Sequence, residues 1–189
     1  MPGPEPGFLI KQLARCNNMI AIIYGSTTGN TSDVAVKVQQ QLGEDEVELF
    51  DVKDVGLDII DAFDQIIFAI PTWDYGEVQE DWEEVWDEID NYDFSGKVTA
   101  YIGLGDQLGY SEWFVDAMGM LHDKVVARGA AVVGHWPVEG YEFDESVALT
   151  EDKKHFVGLA LDEDTQRELT DERIETWCAM ISAELAAAA

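Results

Sequence analysis

The chain has 189 residues, of which 47% are hydrophobic, enough for one globular domain with a sizeable core. Its 39 acidic and 11 basic residues give a formal net charge of -28, which disfavours binding to nucleic-acid phosphates and to anionic membrane surfaces. Aromatic residues make up 11% of the chain, which excludes a disordered acidic protein, and the two cysteines, Cys16 and Cys178, lack a metal-binding spacing and indicate a reduced, cytoplasmic setting.

Three of the five prolines lie in residues 1–18, before the first strand-like run, which predicts a disordered N-terminal extension. Met19 could equally be the first residue of the protein. A single folded domain is predicted for residues 19–185, followed by a frayed tail at 186–189. No apolar run approaches the roughly 20 residues that a membrane-spanning helix needs, so no membrane segment is expected.

Short apolar runs alternate with segments of helical periodicity along this domain. Apolar residues one helical turn apart predict helices over about residues 34–42, 82–89, 114–125 and 174–185. Strands are predicted at 20–24, 47–50, 65–70, 98–104, 131–133 and 156–161. This alternation predicts an α/β fold with a parallel sheet, and such sheets bind ligands beyond the carboxyl ends of their strands.

The loop after the first strand, residues 25–31, contains two glycines, four hydroxyl side chains and an asparagine, and it opens a helix. It has no lysine, which a loop for a nucleoside triphosphate requires. Its backbone N–H groups, its hydroxyls and the positive end of the helix suit a single terminal phosphate instead. The alternative is a Ser/Thr-rich turn that only caps the helix.

Aromatic side chains follow the third and fourth strands. Trp73 lies in the loop 71–76, and Tyr110 ends the glycine-rich segment 103–110. The glycines let a ligand approach the backbone, and two aromatic rings can form the walls of a slot for a flat ligand. In the alternative interpretation, Trp73 only covers the sheet edge and Tyr110 is a half-buried loop residue. Taken together, the three loops fit a phosphorylated, planar, tricyclic cofactor.

Five stretches of the sequence resemble the long-chain flavodoxin family, over roughly residues 19–185. They are the loops at 25–31, 71–77 and 103–110, the segment Gly140-Tyr141-Glu142-Phe143, and residues 156–164. The run 77–90 is most similar to family members from enteric bacteria. The resemblance implies a flavodoxin-like three-layer sandwich with a five-stranded parallel sheet in the order 2-1-3-4-5. It also implies a long-chain insertion, at about residues 136–154, that splits strand 5.

The same resemblance implies a non-covalently bound FMN, with no metal ion and no catalytic residue. Trp73 is expected to cover the inner face of the flavin and Tyr110 the outer face. The first loop would hold the phosphate, the other two would contact the ring edge, and Asp164 would reach the ribityl chain. The expected cofactor-binding residues are Ser26, Thr27, Thr28, Gly29, Asn30, Thr31, Pro71, Thr72, Trp73, Asp74, Tyr75, Gly76, Leu104, Gly105, Asp106, Tyr110 and Asp164.

The function implied by the resemblance is that of a monomeric, low-potential, one-electron carrier. It would take electrons from an NADPH-flavodoxin/ferredoxin reductase or another oxidoreductase and pass them to acceptor redox enzymes, with no substrate turnover of its own. The acidic segment 80–90 is either a solvated helix face or a surface that attracts basic partners.

Two other classes remain as alternatives. A flavodoxin-like NAD(P)H:quinone oxidoreductase needs room for a nicotinamide over the flavin, which Tyr110 would block. A phosphoacceptor receiver domain of the same topology needs clustered acids at its strand ends, whereas the first strand here ends in Tyr24-Gly25-Ser26.

Overall fold

The structure is a computed structural model that describes residues 19–188, so the extension predicted at 1–18 lies outside the described part of the chain. Its strands are β1 (Ile20–Tyr24), β2 (Val47–Asp51), β3 (Gln65–Trp73), β4 (Glu77–Val78), β5 (Val98–Leu104), β6 (Ala131–Val132), β7 (Trp136–Pro137), β8 (His155–Phe156) and β9 (Leu159–Leu161). Its α-helices are α1 (Asn30–Leu42), α2 (Val52–Val55), α3 (Glu80–Val85), α4 (Asp116–Val126) and α5 (Thr170–Ala188). Short 3-10 helices cover Asp58–Ala62, Trp86–Asn91, Ser111–Trp113 and Arg167–Leu169.

The central sheet has the strand order β2-β1-β3-β5-β6, and these strands are parallel. Two strands share the last position, because β6 pairs with the start of β5 while β9 pairs with its end, from Ile102 opposite Leu159 to Leu104 opposite Leu161. This confirms the predicted order 2-1-3-4-5 and the predicted splitting of the fifth strand. The short β4 turns back antiparallel along the end of β3.

Neighbouring side chains of each strand enter two separate cores, because successive residues of a strand point to opposite faces of the sheet. Ile23 and Phe68 belong to the core on the side of α3 and α4. Ile22 and Ile67 belong to the core under α1 and α5. Both faces are therefore covered, which explains why the strands are almost continuously apolar in the sequence.

The insertion between β6 and β9 packs its backbone against α4. A β-carbon placed on Gly119 in α4 would lie 2.6 Å from the carbonyl oxygen of Val147 and from the amide nitrogen of Ala148. At the base of the insertion, β7 and β8 pair antiparallel, with Trp136 opposite Phe156. The close contact at Gly119 shows why the helix has a glycine here in spite of its low helix propensity.

Several predicted elements differ from the structure. The strand predicted at 156–161 is two strands, since the chain passes too close to Tyr101 at Gly158, where a β-carbon would collide with the Tyr101 carbonyl oxygen. The helix predicted at 82–89 is α-helical only as far as Val85 and continues as a 3-10 helix. The helix predicted at 114–125 begins at Asp116, because Val115 has a φ of 52° in the left-handed region.

The C-terminal helix is longer than the sequence predicted. It continues through Ala188, so residues 186–188 are helical where a frayed tail was expected, in keeping with the high helix propensity of alanine. Cys178 of this helix is a buried free thiol, and burial raises its pKa to about 12, so the thiol stays protonated at neutral pH. Within residues 19–188, no helix combines the length and the apolar character that crossing a membrane requires.

Candidate functional site

A cleft of about 340 Å³ opens at the carboxyl ends of β1, β3 and β5. Its size lies in the range of pockets that bind small-molecule cofactors. Because β2, β1, β3 and β5 run in the same direction, the loops that follow three of them meet at this edge of the sheet. The cleft is lined by Thr27, Thr28, Asn30, Thr31, Pro71, Thr72, Trp73, Asp74, Leu104, Gly105, Asp106, Tyr110, Trp113, Glu163 and Asp164.

One end of the cleft is formed by the first turn of α1. Gly29 precedes the helix with a φ of 96°, a conformation that glycine adopts without strain. The Ser26 hydroxyl oxygen accepts hydrogen bonds from the backbone N–H groups of Gly29 (3.2 Å) and Ser32 (3.3 Å). Ser26 therefore braces the loop from within, and the remaining amide groups of the first helical turn carry the partial positive charge of the helix end.

The same loop is supported from behind by α3 and the residue before it. Gln79 donates a hydrogen bond from Nε2 to the Thr27 hydroxyl oxygen at 3.0 Å. A β-carbon on Gly25 would collide with the Gln79 side chain and with the Trp82 ring, so only glycine fits at this point. Trp82 is fully buried and donates from its indole N–H to the Ala69 carbonyl oxygen at 3.2 Å. These contacts fix the position of the loop on the sheet.

The other end of the cleft is aromatic. Trp73 is the last residue of β3, and Tyr110 follows the glycine-containing loop after β5 with 36% of its surface exposed. The Trp73 indole N–H is buried and has no hydrogen-bond partner among residues 19–188. After Trp73 the backbone turns sharply, since Asp74 has a φ of 41° and Gly76 a φ of 88°. Both aromatic side chains line one cleft, as the sequence predicted for the walls of a slot.

Most of the residues predicted to bind the cofactor line this cleft, and four do not. Ser26 and Gly29 lie within the loop that they shape, and their hydrogen-bonding groups face that loop. Tyr75 and Gly76 lie in the turn after Trp73; 69% of the Tyr75 surface is exposed, and Gly76 packs against Trp113 and Asp116. Sequence position alone could not separate these supporting residues from residues that face the cleft.

Two lining residues, Trp113 and Glu163, are absent from the residues predicted from sequence. Trp113 lies in the 3-10 helix that follows Tyr110. Glu163 lies between Asp162, which is buried, and Asp164, which the sequence predicted to bind the cofactor. The signal available for Trp113 was its position three residues after Tyr110. A large aromatic residue so close to a predicted cofactor loop is a candidate for the same cleft.

Asp162 ties together the loops after β5 and β9. It is fully buried, and its carboxylate accepts hydrogen bonds from Gln107 Nε2 (2.8 Å), the Gln107 backbone N–H (3.1 Å) and the Thr165 backbone N–H (2.7 Å). The Asp164 N–H and the Thr165 hydroxyl also donate to it. Burial raises the pKa of Asp162, but these hydrogen bonds outweigh burial and hold the pKa below its ordinary 3.8.

The cleft is electrostatically negative. No lysine or arginine is among its lining residues in the described part of the chain, whereas Asp74, Asp106, Glu163 and Asp164 all line it. Burial, followed by the charges of Asp106 and Asp162, raises the pKa of Asp164 above its ordinary value. Any anion in this cleft must therefore be bound by backbone and hydroxyl dipoles, which the α1 end supplies.

The two ends of the cleft make different demands on a ligand. The α1 end offers hydroxyls, an amide and a helix N-terminus, which suit a phosphate group. The opposite end offers indole and phenol rings that suit a flat aromatic group, and a buried indole N–H that has no hydrogen-bond partner in the described part of the chain. The residues therefore fit a planar, phosphorylated cofactor such as a flavin mononucleotide.

Comparisons with known proteins agree with this geometry. The profile of the family Flavodoxin matches residues 22–177. Flavodoxin 2 of Escherichia coli (strain K12) is 49% identical over 167 residues, which cover 88% of this chain and 96% of that protein. The flavodoxin of a Picosynechococcus species is 49% identical over 163 residues, which cover 86% of this chain and 95% of that protein. The crystal structure of Fusobacterium nucleatum flavodoxin bound to flavin mononucleotide superimposes with a TM-score of 0.83 at 34% identity, covering 88% of this chain and 98% of that one.

Replacement of Asp162 by asparagine is expected to destabilise the fold by about 2 kcal/mol at neutral pH, because an amide cannot accept all the hydrogen bonds of the carboxylate. The pKa of Asp162 is depressed in the folded state, so its stabilisation is complete above the ordinary value of 3.8 and is lost as the pH falls through the folded-state pKa. The wild type and the variant should therefore converge in acid. Urea unfolding at several pH values measures this difference.

The neighbouring change Asp164→Asn is the matched control. Because the pKa of Asp164 is raised, removal of its charge should leave the free energy of unfolding unchanged or slightly increased at neutral pH. A difference between wild type and Asp162→Asn that stayed constant down to strongly acid pH would contradict the assigned role of the Asp162 carboxylate.

Proposed function

The chain belongs to the flavodoxin family, and we propose that it is an electron-transfer protein that carries one electron at a time on a non-covalently bound FMN. Members of this family transfer electrons and do not turn over a substrate of their own. The observation that carries the proposal is that Trp73 and Tyr110 line one cleft with the lysine-free first turn of α1. The FMN-bound structure of a relative with the same fold supports it.

Different residues of the cleft would bind different parts of FMN. Thr27, Thr28, Asn30 and Thr31 would bind the phosphate together with the first-turn amides of α1. Trp73 and Tyr110 would enclose the ring system and exclude water from its faces. When bound, the flavin supplies the redox chemistry, which no side chain of the cleft can supply. Asp164 also lines the cleft, and it would contact the ribityl chain.

The apoprotein is expected to bind one FMN and to quench its fluorescence, because aromatic rings would lie against the flavin. Riboflavin, which lacks the phosphate, should bind roughly a hundredfold more weakly, since the hydrogen bonds at the α1 end would then have no partner. Titration of the apoprotein with each flavin, followed by fluorescence, measures both affinities. Equal affinity for the two flavins would contradict the assignment of the phosphate site.

Trp73→Leu should weaken FMN binding about tenfold or more. Trp86→Leu is the matched control, because Trp86 is half-buried and does not line the cleft. If instead the FMN-loaded protein oxidised NADPH with a quinone, without any other protein, the quinone oxidoreductase alternative would be favoured.

Carboxylates near the flavin would make the carrier low in potential. Full reduction of FMN adds a negative charge, and Asp74, Asp106, Glu163 and Asp164 line the same cleft with no lysine or arginine among its described lining residues. A like charge at about 8 Å costs about 2 kcal/mol at an effective dielectric of 20. Charges on the far surface contribute much less, because salt screens them.

The second one-electron reduction of bound FMN is therefore expected at a lower potential than that of free FMN. Reductive titration with redox dyes measures this potential. Asp106→Asn should raise it, whereas Asp171→Asn, at an exposed position of α5 that does not line the cleft, should change it much less. If the second reduction of bound FMN occurred at the potential of free FMN, the electrostatic explanation would be contradicted.

We further propose that the partners are basic redox proteins, such as an NADPH-dependent flavodoxin reductase, and that the protein acts as a cytoplasmic monomer. The acidic edge consists of the exposed residues Glu77, Glu80, Glu83, Glu84, Asp87 and Glu88 beside the turn after Trp73. Asp90 is not part of this edge, because it pairs with Lys124 (2.9 Å) and Arg128 (3.0 Å), and its hydrogen bond to Lys124 lowers its pKa. The acidic edge thus keeps its charge available for long-range attraction.

Reduction by an NADPH-dependent flavodoxin reductase should slow steeply as salt is added, because screening weakens attraction between exposed charges. The double change Glu83→Lys and Asp87→Lys should slow it about threefold or more at low salt and little at high salt. Glu172→Lys with Glu175→Lys makes the same change of charge on exposed residues of α5, and should have a smaller effect. Stopped-flow kinetics gives the rates, and equal effects of the two double variants would count against docking at the acidic edge.

A further inference from the structure

Tyr75 forms an aromatic contact across the mouth of the cleft. Although 69% of its surface is exposed, its ring meets the Trp113 ring edge to face, with centroids 5.2 Å apart and planes at 78°. Its ring also meets Tyr110 at 6.0 Å and 76°. The turn after β3 is therefore joined through one side chain to the segment after β5, which contributes a wall of the cleft.

The backbone of that turn is held at a second point by the same tryptophan. A β-carbon placed on Gly76 would lie 3.1 Å from Trp113 Cδ1 and 3.2 Å from Asp116 Oδ2. Gly76 thus sits in a notch between these two side chains, with a φ of 88° that other residues rarely adopt. Since Asp74 also has a positive φ, of 41°, the turn is a strained conformation that its surroundings must stabilise.

The backbone on both sides of Trp113 is held by hydrogen bonds, most of them to the insertion. Its backbone N–H donates to the Tyr110 carbonyl oxygen at 3.0 Å. The Ser111 carbonyl oxygen accepts from the N–H groups of Asp144 (2.9 Å) and Glu145 (3.0 Å), which lie in the insertion. The Ser146 hydroxyl donates to the Phe114 carbonyl oxygen at 2.6 Å. A rigid support of this kind lets one ring restrain a flexible turn.

We propose that Trp113 is a positioning residue that holds the turn 74–76 against the cleft through the Tyr75 ring, and thereby slows the release of FMN. The inference rests on the proposed FMN binding. Trp113 acts by keeping Trp73 and Asp74, which line the cleft, in their places, while Tyr75 and Gly76 transmit the restraint. Loss of the ring should let the turn open more often, so FMN should leave faster.

Trp113→Ala is expected to increase the FMN dissociation rate and the dissociation constant about threefold to tenfold, the range for loss of an edge-to-face aromatic contact. Trp113→Phe should restore most of the affinity, because it keeps a ring against Tyr75. Trp86→Ala is the control for loss of a tryptophan away from the cleft, and should leave the dissociation rate unchanged. Stopped-flow release of FMN and fluorescence titration of the apoprotein provide the two measurements.

Tyr75→Ala keeps the inference testable if Trp113→Ala fails to fold, because an exposed side chain can be removed with little effect on stability. This variant should speed FMN release to a similar extent, and the double variant should be no worse than the poorer single one. Additive effects would show that Trp113 acts on FMN independently of Tyr75 and would overturn the inference. Normal release from Trp113→Ala would also overturn it, whereas a wild-type apoprotein that takes up no FMN would refute the proposed function itself.

Discussion

The proposed binding of a phosphate dianion by a protein of net charge -28, with no lysine or arginine among the described residues that line the cleft, is the constraint on which the site depends. Only oriented dipoles remain for the task, and they are effective only if the protein holds them in place beforehand. The inward-facing Ser26 hydroxyl and the positive φ of Gly29 hold the first turn of α1 in that orientation. A lysine would bind the phosphate more strongly, but it would also lower the negative potential that the flavin experiences.

The parallel sheet makes this site possible from pieces that are far apart in sequence. The ends of β1, β3 and β5 lie side by side, so the loop before α1, an indole and a phenol meet although they come from separate parts of the chain. The buried carboxylate of Asp162 then fixes two of the loops to each other through Gln107 and Thr165. A buried charge is tolerated here because donors from both loops surround it.

The sequence predicted β1 and β5 with the correct ends, because both are apolar runs bounded by polar or glycine-rich loops. The cleft could be predicted because the loops after parallel strands must meet at one edge. The sequence could not show that the Ser26 hydroxyl faces its own loop, because a serine at this position can equally direct its hydroxyl into the cleft. The division of the last strand at Gly158 depends on its contact with Tyr101, which lies far away in sequence. The contacts of Trp113 with Tyr75 and Gly76 could not be predicted for the same reason.

Negative charge has two roles in this molecule, and they respond differently to salt. The carboxylates of the acidic edge are exposed, and their attraction for a partner is screened over about 8 Å at physiological ionic strength. Asp106, Glu163 and Asp164 line the cleft that is proposed to hold the flavin, so their charges would act on it over a short distance and salt would screen them less. Added salt should therefore weaken partner association while leaving the flavin potential nearly constant. The two roles can thus be adjusted separately, because surface substitutions alter docking and substitutions on the cleft wall alter the potential.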